Sequence, residues 1–377
     1  MAVSRINEAG LNINQYGNRN LIINGAMQVA QRGTSFSYSA GQSADLLDRW
    51  QVAIGSSYNF DTTISQSTTT PSGEGFKYSL KVEMDAAITP SGSQNGGIFM
   101  KFEGQDFDQL AYGTSSAKSL TLSFWVRSNK TGTYCCQIQV NTGDSTTGNK
   151  YSHVKEYTIS AANTWEKKTL TFSGLTAQAI TQTTTDGFRM IWWLSVGADD
   201  KIASADTWTQ TPSFLSTSNQ VNFADSASNE WYVTGVQLEV GDTATDFEHR
   251  TFADELARCH RYYQRVSETG GSGSNNYLRY GIGSNLSTTQ SEIHVQSMVP
   301  MRADPTLETT GTLSNYALYD SDSVVALTAL VLESGGHGTN QRFILDGQVS
   351  SGLTDGGACQ LINNNNSTGY LAFSAEL

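Results

Sequence analysis

Cations are scarce in this chain: 23 lysines and arginines stand against 35 acidic residues, a net charge of −12 over 377 residues. That balance argues against nucleic acid or an anionic membrane surface as partner, since both demand clustered positive charge. Charged residues of either sign make up only 15% of the chain, and proline only five positions. No apolar run is long enough to span a bilayer, so membrane insertion is not expected. The opening, MAVSRINEAGLNINQYGNRN, lacks the basic-then-apolar pattern of a secretory signal. Four cysteines in this length do not form a disulfide framework. Cys135 and Cys136 are neighbours on an expected strand, so their side chains point to opposite faces, badly placed to bond each other or share a metal. Free thiols are expected for all four.

What is abundant is glycine (35 residues), together with Ser, Thr, Asn and 10% aromatics. This composition suits short strands joined by polar turns, and the length suits two domains. The segment from Leu120 to Arg127, LTLSFWVR, alternates cleanly: Leu120, Leu122, Phe124 and Val126 face one way, Thr121, Ser123, Trp125 and Arg127 the other. Tyr134 to Val140 repeats the pattern, with Tyr134, Cys136, Ile138 and Val140 opposed to Cys135, Gln137 and Gln139. Tyr78 to Phe102 (two strands), Trp165 to Phe172 and Met190 to Val196 continue the series, which predicts a β-sandwich. Earlier, Leu21-Ile22-Ile23 reads as a short strand ending at the turn Asn24-Gly25, and Trp50 as core.

One stretch, Trp231 to Val266, breaks the all-β pattern. It opens as a strand, with Val236, Leu238 and Val240 on a buried face and Gln237, Glu239 and Gly241 on a wetter one. After Gly241-Asp242-Thr243 a helix is predicted from Thr251 to Val266. Thr251 caps it, Asp254 and Glu255 favour its first turn, and Arg258, Arg261 and Arg265 favour its other end. Phe252, Leu256, Cys259 and Tyr263 form its apolar stripe. A lone helix between two β-rich regions reads as a joint.

The expected architecture is therefore all-β: a jelly-roll β-sandwich over residues 20–250, a connecting helix over 251–266, and a smaller C-terminal β-sandwich over 267–377. Residues 1–19 are too polar for a core and read either as a disordered leader or as an arm that orders on a partner. SETGGSGSNN (267–276) is a linker, and Asn363 to Asn366 a polar loop tip. Strands are expected at Leu278 to Ile282, Glu292 to Met298, Leu313 to Tyr319, Val324 to Leu332, Arg342 to Leu345 and Gly369 to Phe373. So small a sandwich leaves strand edges in need of cover, which neighbouring copies around a threefold axis would supply.

Chemistry is sparse. His249 and His260 flank the start of the helix and its middle without a third ligand at metal spacing, so no metal or other cofactor is expected. Gly335-Gly336-His337-Gly338 has no strand-to-helix context for a phosphate cradle. No nucleophile elbow is present, and no carboxylate pair can be picked out by position, so no catalytic residue is expected. The aromatic and amide side chains are more telling. With the apolar rows turned inward, Trp125, Arg127, Gln137 and Gln139 form an outer face, and Trp165 and Trp193 also lie opposite their apolar neighbours. Rings that stack on sugar C–H faces, with amides and guanidinium for planar hydrogen bonds, make a carbohydrate site from these six residues. The competing reading places the tryptophans under loops or at a subunit interface.

The order SLKV, LTLSFWVRS followed by TGTY, NTWEKKTLTF and a closing VQLE resembles the jelly-roll sandwiches of carbohydrate-binding modules. NLIINGAMQVAQRG with DRW, then VQLEVGDTATDFEHR and ELARCHRYYQ, resembles a module of tail-fibre and receptor-binding proteins of tailed bacteriophages, and MVPMRADPTL and LAFSAEL resemble the domain that follows it. No virion-attachment domain of the long-fibre type is recognisable at the front. The resemblance implies a non-enzymatic virion protein at the tail or fibre surface. It would be a homotrimer that binds a host-surface glycan during adsorption and is held to other virion proteins by its arm. A virion protein released by lysis needs no export signal. A purely structural virion component and a polysaccharide depolymerase are the alternatives.

Overall fold

The computed structural model describes residues 18–377 except 40, 42, 56–57, 142–149, 203–204, 211–213, 268–276, 334–339 and 367–368. Most of the expected arm, the linker after residue 267 and the Gly335-Gly336-His337-Gly338 loop lie outside the described residues. The chain divides into two compact units, one running to Glu255 and including Leu377, the other Leu256–Glu376.

The first unit is the sandwich. Its strands are β1 (Ser35–Tyr38), β2 (Ser43–Asp45), β3 (Gln51–Ile54), β4 (Thr62–Ser67), β5 (Ser79–Met84) and β6 (Asn95–Glu103). Then follow β7 (Leu120–Ser128), β8 (Gly132–Asn141), β9 (Lys150–Ile159), β10 (Glu166–Phe172) and β11 (Asp186–Val196). Short β12 (Lys201–Ile202), β13 (Trp208–Thr209) and β14 (Ser216–Thr217) precede the long closing β15 (Glu230–Val240). A front sheet has the order β1-β4-β5-β15-β7-β10 and a back sheet β13-β9-β8-β11-β6-β3-β2, so the chain crosses repeatedly between layers as in a jelly roll. The alternating rows behave as expected: Leu120, Leu122, Phe124 and Val126 of the front sheet and Tyr134, Cys136, Ile138 and Val140 of the back sheet are all fully buried between the layers. At the centre Trp50 packs 5.6 Å from Trp192, and Phe124 meets Trp192 edge-on at 5.5 Å. Each such ring removed from water contributes about 1.5–3 kcal/mol.

The Leu21–Ile23 segment is not a strand. It is held instead by side chains that compete with ladder pairing. Asn20 Oδ1 accepts from the amides of Ile22 and Leu238 (2.9 and 3.0 Å), and Asn24 Nδ2 donates to the carbonyls of Val29 and Asp48 (2.8 and 3.0 Å). Arg250 donates to the carbonyls of Ile22 and Asn20, and Glu255 accepts from the Asn24 amide. Gly25 lies so close to β15 that a Cβ there would sit 2.2 Å from the Val236 carbonyl oxygen. The expected wet face of β15 is buried too: Gln237 Oε1 accepts from the Glu248 amide (2.8 Å), and Glu239 Oε2 from the Thr245 amide (3.0 Å). The segment after β15 folds back to cover these side chains.

The helix α1 (Phe252–His260) is shorter than expected. Thr251 Oγ1 does cap it, accepting from the Asp254 amide at 3.2 Å. Phe252, assigned to the apolar stripe, is 55% exposed, and Leu256 is half-buried. Tyr263 is buried, but on a strand: β16 (Tyr263–Ser267) replaces the last helical turns, because the Tyr- and Val-bearing YQRVS segment pairs with a strand near the C-terminus.

In the second unit the strands are β17 (Arg279–Asn285), β18 (Gln290–Gln296), β19 (Thr306–Thr309), β20 (Tyr316–Asp320), β21 (Ser323–Leu332), β22 (Arg342–Val349), β23 (Ala358–Asn363) and β24 (Tyr370–Ser374). They do not make a sandwich. Six close into a barrel, β17-β18-β22-β21-β20-β23, and β16-β24-β19 form a separate three-stranded sheet. Two strands, β19 and β23, are absent from the sequence reading, and β23 closes the barrel by pairing with both β17 and β20. Closure removes strand edges, so the need for cover by other copies does not arise in the barrel itself. Asn363, at the start of the expected loop tip, is fully buried and accepts from the Asn366 amide at 3.2 Å.

Candidate functional site

The six sequence-derived residues do not share a face. β7 and β8 lie in different sheets, so their outer faces point away from each other. Trp125, Arg127 and Trp165 fall on the outside of the front sheet, and Gln137, Gln139 and Trp193 on the outside of the back sheet.

The front group is occupied with itself. Arg127 lies 4.8 Å from the centre of the Tyr232 ring and donates twice to Asn163 at 3.0 Å, while Trp165 meets Tyr232 edge-on at 6.1 Å. Beside them Lys81 reaches Glu83 and Glu230, both at 2.9 Å, and Tyr232 donates to Glu230 at 2.9 Å. Burial alone would lower the Lys81 ammonium, but these carboxylates outweigh it and hold its pKa above the usual range. Trp125 is half-buried on the same face.

The back face is organised in rows that cross the strands. Gly97 of β6 stands opposite Trp193 of β11, which stands opposite Cys135 of β8. One row on, Phe99, Ile191, Gln137 and Val154 align, and next Lys101, Arg189, Gln139 and Ser152. Gly97 leaves the space that the indole fills: a Cβ there would come within 3.1 Å of the Trp193 ring. Phe99, Ile191, Trp193 and Val196 gather with Leu215 into a small apolar cluster outside the main core.

Gln137 is committed to this architecture. It is fully buried, accepts from Trp193 Nε1 (2.9 Å) and donates to Ser152 Oγ (3.0 Å) and the Phe214 carbonyl (2.8 Å). The segment ahead of β14 therefore lies over it, and its assignment to an accessible ligand face is corrected. Gln139 is different. It is only 4% exposed, yet its amide makes no hydrogen bond to any described residue. It opens into a groove of about 530 Å³ along the back sheet. Phe99 and Trp193 border that groove, each 5% exposed, so they offer a strip of ring rather than a full face. Lys101, Lys150 and Arg189 line one end; Asn95 and Asp200 the other. Asn95 and Lys101 are six residues apart on one strand, about 20 Å at 3.3 Å per residue, room for several sugar rings. Burial raises the Asp200 carboxyl, with Asn95 Nδ2 3.5 Å away as a partial counterweight.

Of the groove's residues, Gln139 and Trp193 were found from sequence; Phe99, Lys101, Lys150, Arg189, Asn95 and Asp200 were not. The same alternation held the signal, since Phe99 and Lys101 oppose the inward Ile98, Met100 and Phe102, as Arg189 and Ile191 oppose Met190 and Trp192.

No protein-family model matches the sequence, and no curated protein is similar to it. Among solved structures, the chain is similar to the enzymatically active domain of tailspike protein 4 of bacteriophage CBA120, at 12% identity and a TM-score of 0.31, over 59% of this chain and 21% of that one. A protein from Bacteroides thetaiotaomicron described as sugar-binding matches at 10% identity and a TM-score of 0.34, over 59% of this chain and 99% of that one. The C-terminal family 22 carbohydrate-binding module of Clostridium thermocellum Xyn10B matches at 12% identity and a TM-score of 0.32, over 61% of this chain and 99% of that one.

Proposed function

We propose that this protein is a non-enzymatic glycan-binding component of a bacteriophage virion surface, and that the back-sheet groove is its sugar site. The observation that carries the reading is Gln139: a side chain only 4% exposed whose amide has no protein partner and opens, beside two aromatic rings, into a groove about 20 Å long. An amide held in place with no protein partner is free to bond a ligand that enters the groove and displaces water. Sugars supply hydroxyl groups for the amide and C–H faces for the rings. In this reading the protein contacts a host-surface glycan during adsorption, acts as a homotrimer, and joins other virion proteins through its N-terminal arm.

Glycan-array binding by the intact protein tests the site. At least one glycan should be retained, with Gln139→Ala weakening it about tenfold, the value of one or two lost hydrogen bonds. No retention on a broad array, or an unaffected variant, would remove the groove from the reading. A reducing-sugar assay on the retained polysaccharide should show no release; release would make the protein a depolymerase. Light scattering at micromolar concentration should give three times the chain mass, and a stable monomer would overturn the trimer.

A further inference from the structure

Three cations line one end of the groove, in a chain whose net charge is −12. Two are already engaged. Arg189 is held by Asp186, its Nε donating at 2.6 Å and its Nη2 lying 2.5 Å from the same carboxylate oxygen. Lys101 donates its ammonium proton to the Leu377 carbonyl at 2.5 Å and sits 5.5 Å from the Phe99 ring centre. Lys150 is at the first position of β9, and its ammonium has neither a hydrogen bond nor an ion pair with any described residue. It stands opposite Asn141, one row beyond Gln139 and Arg189.

From this arrangement we infer that the glycan taken by the groove is anionic, and that Lys150 binds its charged substituent while Gln139 binds a neighbouring hydroxyl. The inference rests on the glycan-binding reading above and narrows its ligand class. A half-buried ammonium beside a guanidinium is unfavourable as it stands, and burial, then Arg189, push the Lys150 pKa down, with Asp186 a partial offset. A carboxylate, sulfate or phosphate on the ligand supplies the missing counter-charge in a partly dry site, where a charge-assisted hydrogen bond is at its strongest. Asp186 offsets the Lys150 charge only in part: its Oδ2 holds Arg189, and it forms no ion pair with Lys150. The opposite end carries the Asp200 carboxyl, which disfavours a second anion, and the neutral Asn95 amide, and both suit hydroxyl groups. The ligand is therefore oriented: acidic sugar toward Lys150, neutral sugar toward Asp200.

Matched probes decide it. Oligogalacturonates and their carboxyl-reduced, otherwise identical galactans are titrated into the full chain, with sulfated and phosphorylated glycans as further arms that separate the three anionic groups. The wild-type protein should prefer an anionic member over its neutral counterpart by tenfold or more, and the preference should shrink as salt rises. Lys150→Gln should bring that ratio to about one, and Lys150→Arg should retain it, with thermal melting to show that both variants fold. Equal wild-type affinities, or a Lys150→Gln protein that keeps the preference, would overturn the anionic assignment and leave the glycan reading standing. If no glycan of either kind binds, the glycan reading falls, and this inference with it.

Discussion

Replacing Asn24 with alanine should cost about 4 kcal/mol of stability. The residue is fully buried and stands at φ +59°, a left-handed conformation that asparagine tolerates and alanine does not. Its amide donates to the carbonyls of Val29 (2.8 Å) and Asp48 (3.0 Å) and accepts from the Val29 amide (2.9 Å). At about 1 kcal/mol for each lost bond, the truncation removes some 3 kcal/mol, and the backbone adds about 1. Glycine at this position restores the backbone freedom but not the bonds, so Asn24→Gly should cost about 3 kcal/mol. Urea denaturation monitored by tryptophan fluorescence reads both, because Trp50 Nε1 donates to the Asn24 carbonyl at 3.1 Å. An alanine variant within about 1 kcal/mol of wild type would refute the claim that this side chain pins the 18–31 segment. Equal losses for glycine and alanine would refute the backbone share alone.

Gln137→Ala should destabilise the sandwich by about 2–4 kcal/mol, since it leaves Trp193 Nε1, Ser152 Oγ and the Phe214 carbonyl without their partner; an unchanged melting temperature would return Gln137 to the list of ligand contacts. His153 has a fully buried side chain, with rings of Phe172 and Trp208 each 5.2 Å away, and burial lowers its pKa to about 4. The unfolded chain therefore takes up a proton near pH 6.5 that the folded one refuses until about pH 4, so stability is full above pH 6.5 and falls by about 3 kcal/mol as the pH drops across that window. Burial moves His260 in the same direction. Calorimetry of His153→Gln should show a shallower loss between pH 6.5 and 4 than wild type, and an identical slope would refute the assignment.

The sequence by itself determined the layers of the sandwich. A period-two pattern as clean as Leu120-Leu122-Phe124-Val126 leaves one way to bury four large apolar side chains, and it holds in the structure. It also determined the break at Thr251, where a capping hydroxyl precedes acidic residues. What alternation cannot say is which sheet a strand joins, because pairing is set by partners dozens of residues away. That is why Trp125 and Gln137, each correctly placed opposite an apolar row, ended on opposite outer faces of the molecule. Nor does polarity alone report exposure. Gln137, Gln237 and Glu239 are polar and buried because later segments fold over them and satisfy their hydrogen bonds. The same tertiary decision made a barrel of the last hundred residues once β23 bridged β17 and β20. It also brought Phe99, Gln139, Lys150 and Trp193, drawn from four strands, to the border of one groove, since only the assembled back sheet sets their rows side by side.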